Sequence, residues 1–137
     1  MSQSDQTAAA LRVLIVEDTE ERQNVLMSLY RAHAWILAAT GRRAVTLLNA
    51  YDFDIISLDY NLRGPLTGAE VAQAIASSRN QNTRVVIHSM NPKGAIQIAQ
   101  LLPDAVQFPV SKMVGSNRGF KTLRNKIDEL GAAYDWH

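Results

Sequence analysis

The sequence predicts an α/β fold, a doubly wound five-stranded parallel sheet with helices on both faces. Short apolar runs rich in β-branched residues alternate five times with stretches whose apolar residues recur at helical spacing. The runs lack polar alternation, which is typical of strands that are buried on both faces. Strict alternation of such strands with helices implies parallel pairing and right-handed crossovers.

The length of the chain indicates one domain. Its 137 residues can bury a real core but leave no room for a second one. We predict a disordered lead-in over residues 1–10, a domain over residues 11–131 and a C-terminal tail over residues 132–137. Tyr134, Trp136 and His137 in that tail suit either a dimer contact or a frayed end, and we expect the frayed end.

Each element has its own local signal. The first strand stops at Glu17-Asp18, and Asp18 or Thr19 then suits the cap of a helix whose first turn is acidic. Thr67 starts another helix, and Pro92 suits a first helical position. The predicted strands comprise residues 11–16, 35–39, 53–58, 85–88 and 105–108. The predicted helices follow Thr19, cover residues 42–50, begin near Thr67, run from Pro92 to Leu102, and run from about Phe120 to a glycine end at Gly131.

Composition excludes several classes of protein. Hydrophobic residues make up 47% and charged ones 20%, and there is no cysteine for a disulfide, a zinc–thiolate site or a thiol nucleophile. No apolar run suits a membrane span or a signal peptide, so we expect a cytoplasmic location and no membrane partner. The net charge is +1, and we interpret the basic stretch over residues 105–127 as a solvated face rather than a nucleic-acid surface.

Polar residues follow three of the predicted strands at their carboxyl ends. Ligands of open α/β sheets collect at that edge. Crowded carboxylates repel each other unless a cation joins them, and hard oxygen ligands suit Mg²⁺. Asp59 could then act as a nucleophile toward a phosphoryl group, and Ser89 could donate a hydrogen bond to it. The residues concerned are Glu17, Asp18, Asp59 and Ser89.

Each of these residues also has a purely structural interpretation. Asp18 could cap the first helix, with Glu21 as its capping-box partner. Asp59 could form a turn, and Ser89 could be a small residue at a strand end. Their convergence on one edge favours a site.

The residues then resemble a known family, the receiver domains of bacterial response regulators of the chemotaxis-regulator type. The resemblance covers about residues 11–130 and implies a flavodoxin-like fold. Residues 13–18 match the first strand and acidic pair, and residues 53–59 match the phosphoacceptor strand. Ser89 lies 30 residues after Asp59, where the family has a hydroxyl residue, and Phe108 lies 19 residues after Ser89, where it has a switch aromatic.

The resemblance implies a function. A histidine kinase or phosphotransfer protein would phosphorylate Asp59, with Mg²⁺ held by Glu17, Asp18, Asp59 and the Asn61 carbonyl. Movement of Ser89 and Phe108 would signal to a downstream protein target, so the chain would be a phosphoacceptor switch rather than an enzyme. We expect a monomer or a weak homodimer.

Two departures from the family pattern concern the end of the fifth strand and the loop after Asp59. The family lysine belongs at Ser111, but Lys112 lies one residue later, and Pro109 lies at the strand end. A small shift would bring Lys112 to the phosphoryl group. The loop over residues 62–68 is slightly longer than usual.

A further departure is His88, where receivers have an apolar residue. Strand alternation places His88 and Ser89 on opposite faces, so we expect a packed histidine under a helix, and Asn91 as a helix cap. The block over residues 88–95 is also similar to a receiver-like offshoot proposed to process cyclic phosphates. That resemblance implies a phosphoesterase in which Asp59, His88 and Asn91 act on a cyclic or diester phosphate, with His88 as general acid or base. The offshoot often has an acid at the place of Asn61. A third hypothesis is a binding module that takes no phosphoryl group.

Overall fold

The structure, a computed structural model, describes residues 9–137. These residues form five strands, six α-helices and a short 3-10 helix (Gly131–Ala133), and none of the helices is long and apolar enough to cross a membrane. The strands are β1 (Arg12–Val16), β2 (Ala34–Ala38), β3 (Ile55–Leu58), β4 (Arg84–Ile87) and β5 (Val106–Gln107). The helices are α1 (Glu20–Leu29), α2 (Gly41–Ala50), α3 (Gly68–Ala76), α4 (Pro92–Leu101), α5 (Val110–Met113) and α6 (Asn117–Leu130).

The strands form one parallel sheet in the order β2-β1-β3-β4-β5. This order has the reversal between β1 and β3 that defines a doubly wound sheet, and ligands bind at that point, beyond the carboxyl ends of the strands. The predicted fold class is therefore confirmed.

Helices cover both faces of the sheet. On one face, α2, α3 and α4 pack on Leu14, Ile56 and other alternate strand residues. On the other face, α1 and α6 pack on Val13 and Ile15. Strands that are buried on both sides need apolar residues at nearly every position, which explains the apolar runs of β1, β3 and β4. The edge strand β2 is also apolar but largely exposed, with Trp35 and Ile36 each 38% exposed.

The region after β4 differs most from the sequence-based elements. The fifth strand has two residues rather than the predicted four, and the short helix α5 follows it directly. The last helix begins at Asn117, three residues before the predicted start, because the Ser116 side chain accepts the Gly119 amide as an N-cap. The predicted disordered lead-in lies outside the described residues, except for its last two positions.

The C-terminal tail is packed rather than frayed. Trp136 is 7% exposed, and its ring lies edge-on to Phe108 and Tyr134, at centroid distances of 5.6 and 5.0 Å. The expectation of a frayed end was wrong because α6 ends at Gly131, which has a positive φ, and the chain then turns back over the sheet. Trp136 thereby joins the core beneath α1 and α6.

We expect Trp136→Ala to lower the free energy of unfolding by about 3 kcal/mol, since a buried indole and its edge-on ring contacts are lost. Chemical denaturation measures this change. The neighbouring exposed residue offers a control, and His137→Ala should leave the free energy of unfolding unchanged. An unchanged midpoint for Trp136→Ala would contradict the packing described here.

Candidate functional site

Three site residues converge because their strands are paired in register. Ile15 of β1 lies opposite Ser57 of β3, which lies opposite Val86 of β4. Since alternate side chains of a strand share a face, the residues two positions further along all point to the α1 side of the sheet, at its carboxyl edge. These residues are Glu17, Asp59 and His88.

The three side chains form a buried cluster. One ligand atom from each lies within 4.8 Å of the others. Glu17 and His88 are fully buried, and Asp59 is 3% exposed. Two acids and an imidazole in such a place need mutual hydrogen bonds or a cation, because an unpaired buried charge is strongly destabilising.

His88 links two strands through both of its ring nitrogens. Nδ1 is 2.7 Å from the Ser57 hydroxyl oxygen, and Nε2 is 2.8 Å from Oε1 of Glu17. The histidine is buried and hydrogen-bonded on the face of the sheet that α1 covers, as expected, and its bond to Glu17 makes it part of the acidic cluster.

Glu17 is the best-satisfied acid of the cluster. Oε2 accepts the amide and the hydroxyl of Thr19, and Oε1 accepts Nε of Arg22 at 3.1 Å. Burial by itself raises the pKa of Glu17, but the hydrogen bonds from His88, Arg22 and Thr19 outweigh it and lower the pKa to about 2. Glu17 is therefore ionised at neutral pH.

Asp59 is less well satisfied. Oδ1 accepts the Tyr60 amide, but Oδ2 has no hydrogen-bond partner among residues 9–137. The nearest cation is Nη2 of Arg22, in an ion-pair contact of 3.5 Å. Burial and the Glu17 charge raise the pKa of Asp59, and contacts with His88, the Tyr60 amide and Ser89 only partly offset them.

Three other predicted residues lie around this cluster. Ser89 is buried beside Asp59, and its hydroxyl oxygen accepts the Asn91 amide. Asp18 is partly exposed and does not cap α1, whose N-cap is Thr19; the Asp18 carbonyl accepts an Arg63 N–H. Asn61 is exposed in the loop after β3.

The remaining predicted residues are engaged elsewhere. The Asn91 side chain caps α4 by accepting the Gly94 amide, which is the structural role expected for it. Lys112 lies on α5, with its ammonium 4.6 Å from the centre of the Phe108 ring. Phe108 is half-buried beneath Trp136. The structure thus does not bring Lys112 into the cluster around Asp59.

Sequence reasoning missed Arg22 and Ser57. Arg22 contacts both acids from the first turn of α1, and Ser57 holds His88 from within β3. Strand periodicity could have identified Ser57, because it lies two residues before Asp59 on the same face. For Arg22 the only signal is its position in a helix that starts at the site.

The cluster fits a divalent cation. It combines two carboxylates with a ring nitrogen, and one ligand atom from each lies within 4.8 Å of the others. The buried Oδ2 of Asp59 has no hydrogen-bond partner among residues 9–137. A cation there would neutralise the repulsion that raises the Asp59 pKa.

We expect Asp59→Asn to be more stable than the wild type at pH 7 in the presence of a chelator. Folding raises the Asp59 pKa, so the ionised carboxylate opposes folding at neutral pH, and protonation relieves this as the pH falls through the folded-state pKa. Thermal unfolding should therefore show a gap between the two proteins that closes toward low pH. The control is Asp104→Asn, which removes an exposed carboxylate far from the cluster and should keep wild-type stability at pH 7.

Glu17 acts in the opposite direction, since its lowered pKa contributes stability above about pH 4.5 that is lost as the pH falls toward 2. The wild type and Asp59→Asn should lose this contribution of Glu17 equally. A higher stability of wild type than of Asp59→Asn at neutral pH would contradict the pKa shift of Asp59.

The fold and the acids that follow β1 and β3 are those of a receiver domain, whereas His88 departs from the receiver pattern. The family model for the cyclic-phosphate processing receiver domain matches residues 12–104. No curated protein sequence matches the chain. A phosphorylated cyanobacterial phytochrome response regulator, RcpA, superimposes with a TM-score of 0.69 and 20% identity over 92% of this chain and 98% of its own.

Two metal-bound receivers are also similar. The Mn²⁺-bound response regulator Rcp1 has a TM-score of 0.64 and 21% identity, over 85% of this chain and 91% of its own. The Mg²⁺-bound receiver domain of a Pseudomonas aeruginosa sensor histidine kinase has a TM-score of 0.62 and 20% identity, over 84% of this chain and 98% of its own. At these identities the structures show the fold alone. The family match covers most of the chain, which therefore belongs to the cyclic-phosphate processing receiver domains.

Proposed function

We propose that this protein is a response regulator receiver that accepts a phosphoryl group on Asp59 with the help of Mg²⁺. The observation that carries the proposal is the Asp59 carboxylate, buried at the carboxyl end of β3, with one oxygen that has no hydrogen-bond partner among residues 9–137. Such an oxygen is available to a metal or to phosphorus. We assign the receiver unit to residues 11–131 and expect it in the cytoplasm.

Glu17, Asp18, Asp59 and the Asn61 carbonyl would hold the ion. All are oxygen ligands at the edge where β1 and β3 end, which suits Mg²⁺. When bound, the ion would shield the phosphoryl oxygens from the acids.

The protein side of the reaction needs a nucleophile and positive charge. An Asp59 oxygen would attack the phosphorus of a phosphohistidine, the phosphorus–nitrogen bond would break, and the released histidine would take up a proton. Arg22 lies 3.5 Å from Asp59 and is one-third exposed, so it can turn from Glu17 toward the new phosphoryl group. It would supply the charge that the family draws from a lysine, since Lys112 lies over Phe108 instead.

A signal would leave the site through Ser89 and Phe108. Ser89 lies beside Asp59, and Phe108 follows β5 beneath Trp136. A phosphoryl group that draws Ser89 inward would favour a new position of Phe108 and change the surface near α4 and β5. The partners would be a histidine kinase or phosphotransfer protein upstream and a protein target downstream.

Intact mass after incubation with acetyl phosphate and Mg²⁺ tests the proposal. The wild type and Asp104→Asn should gain one phosphoryl mass, and Asp59→Asn should gain none. A phosphoryl adduct on Asp59→Asn, or the absence of one on the wild type, would refute the proposal.

A second candidate is a phosphoesterase that acts on cyclic or diester phosphates. The observation that favours it is His88, which replaces an apolar receiver residue and lies within the buried acidic cluster, together with the matched family. Water would attack phosphorus, one phosphorus–oxygen bond would break, and His88 would act as general acid or base. Asn91 would act on the phosphate through its Nδ2 donor, since its Oδ1 caps α4.

Turnover of bis(p-nitrophenyl) phosphate and of a 2′,3′-cyclic nucleotide tests the second candidate. Release of product by the wild type and its loss in His88→Gln would establish it. Phosphorylation of Asp59 without turnover of either ester would exclude it for these substrates. Absence of adduct, turnover and Mg²⁺ binding would indicate a binding module.

A further inference from the structure

The ligand atoms of the cluster include a nitrogen, which the receiver pattern does not predict. Nε2 of His88 and Oε1 of Glu17 are 2.8 Å apart, and the three candidate ligand atoms lie within 4.8 Å of one another. Ligands bound at about 2.1 Å around one ion lie about 3 to 4.2 Å from each other in octahedral geometry, so this spacing needs little adjustment. The buried Oδ2 of Asp59 has no hydrogen-bond partner among residues 9–137 and only the Arg22 guanidinium, at 3.5 Å, as an ion-pair contact, which is a second indication of a ligand at this place.

We propose that Glu17, Asp59 and His88 bind a first-row transition-metal dication such as Mn²⁺ in preference to Mg²⁺, with His88 Nε2 as a direct ligand. This inference deepens the proposed function, since it concerns the ion of the same site. It adds a ligand from the end of β4 to the oxygen set expected from β1 and β3.

The environment of His88 suits a metal ligand. A ligating histidine usually donates its second ring N–H to a fixed partner, which sets the tautomer and the ring orientation. Here that partner is the buried Ser57 hydroxyl, 2.7 Å from Nδ1. A hydroxyl both donates and accepts, so Ser57 can serve the tautomer that bonds Glu17 through Nε2–H and also the tautomer that frees Nε2 for a metal.

The donor set determines the preferred ion. Mg²⁺ is bound almost entirely by oxygen, whereas imidazole nitrogen favours the later divalent metals. Two carboxylates and one imidazole retain enough hard oxygen for Mn²⁺ and add the nitrogen that discriminates against Mg²⁺. The three ligand residues are buried, and Arg22 contacts Glu17 and Asp59 from a partly exposed position. The Arg22 side chain can therefore move away when a dication enters.

Isothermal titration of the full chain with Mn²⁺ or Mg²⁺, without a phosphodonor, tests the preference. The wild type should bind Mn²⁺ at least about 10-fold more tightly than Mg²⁺. His88→Gln should lose most of the Mn²⁺ affinity but not the Mg²⁺ affinity, and Ser57→Ala should weaken Mn²⁺ binding about 10-fold. His137→Gln, which removes an exposed histidine, should behave as wild type. Equal affinity for the two ions in the wild type would overturn the proposal.

A spectroscopic test does not depend on the folding of any cluster variant. Pulsed electron paramagnetic resonance of bound Mn²⁺ should show coupling to a histidine nitrogen, and the coupling should change when histidine is labelled with ¹⁵N. The signal should persist in His137→Gln. Bound Mn²⁺ without nitrogen coupling would overturn the proposal. Nitrogen coupling without phosphorylation of Asp59 would support the metal site and refute only the proposed function. A phosphoryl adduct without nitrogen coupling would support the proposed function and refute His88 as a ligand.

Discussion

Gly68→Ala is expected to displace the backbone that carries Asp59 and to destabilise the fold by about 3 kcal/mol. A Cβ at Gly68 would lie 2.1 Å from the carbonyl oxygen of Asp59 and 2.7 Å from Cα of Tyr60, both of which are backbone atoms. The Gly68 amide also donates to the Tyr60 carbonyl at 2.7 Å, so α3 starts directly against the chain that carries Asp59. An alanine must displace that chain, and with it the carboxylate. We therefore expect at least about a 10-fold loss in the rate of Asp59 phosphorylation, since small displacements of reacting groups have large effects.

Thermal unfolding in the presence of a chelator and intact-mass kinetics with acetyl phosphate measure the two effects separately. Gly115→Ala is the matched control, because the nearest atom to its added Cβ would be 3.7 Å away. The control should keep wild-type stability and rate. A Gly68→Ala protein with the wild-type melting temperature would show that the close approach of α3 to Asp59 is not real.

Asn80→Ala is expected to lower the free energy of unfolding by about 4 kcal/mol, because it leaves several buried polar groups without partners. Asn80 is 1% exposed, and its Oδ1 accepts the Phe53 amide at 2.8 Å and the Thr83 hydroxyl at 3.2 Å. Its Nδ2 donates to the carbonyls of Leu48 and Tyr51, both at 2.9 Å. One side chain thus closes the end of α2 and holds the chain that enters β3. For a chain of this size we expect the melting temperature to fall by about 10 to 15 °C.

Asn82, two residues later, is exposed and offers the control. Asn82→Ala should change the free energy of unfolding by less than about 0.5 kcal/mol. Asn80→Asp tests the donor half of the network, since it keeps Oδ1 but cannot donate to the two carbonyls. Equal stability of Asn80→Ala and Asn82→Ala would refute the role of Asn80.

Several features follow from local sequence. The apolar runs around Val13, Ile56 and Val86 specify buried strands, because a strand covered on both faces needs apolar side chains at nearly every position. Asn91 before Pro92 specifies the start of α4 in the same local way, through a side chain that accepts an amide three residues later. Periodicity and capping act over a few residues, so sequence alone sufficed for the fold class and for Asp59 at the edge of the sheet.

His88 illustrates information that was present in the sequence but not used. The alternation of side chains along a strand correctly places His88 and Ser89 on opposite faces. The same alternation, combined with the pairing register of β1, β3 and β4, places His88 beside Glu17 and Asp59. A register needs the strand order, which periodicity does not supply. The prediction of a packed, hydrogen-bonded histidine is therefore confirmed, but its acidic partners could not be identified without the strand order.

The sequence by itself determined the succession of strands and most helices along the chain, the two-sided burial of β1, β3 and β4, and the acids at the carboxyl edge of the sheet. Only the tertiary structure placed Arg22 against both acids, Lys112 over Phe108 and Trp136 in the core. The first group depends on interactions between residues near in sequence, or on a rule that holds for every parallel sheet. The second depends on how particular side chains from distant elements fill the same space, and neither spacing nor composition encodes that packing locally.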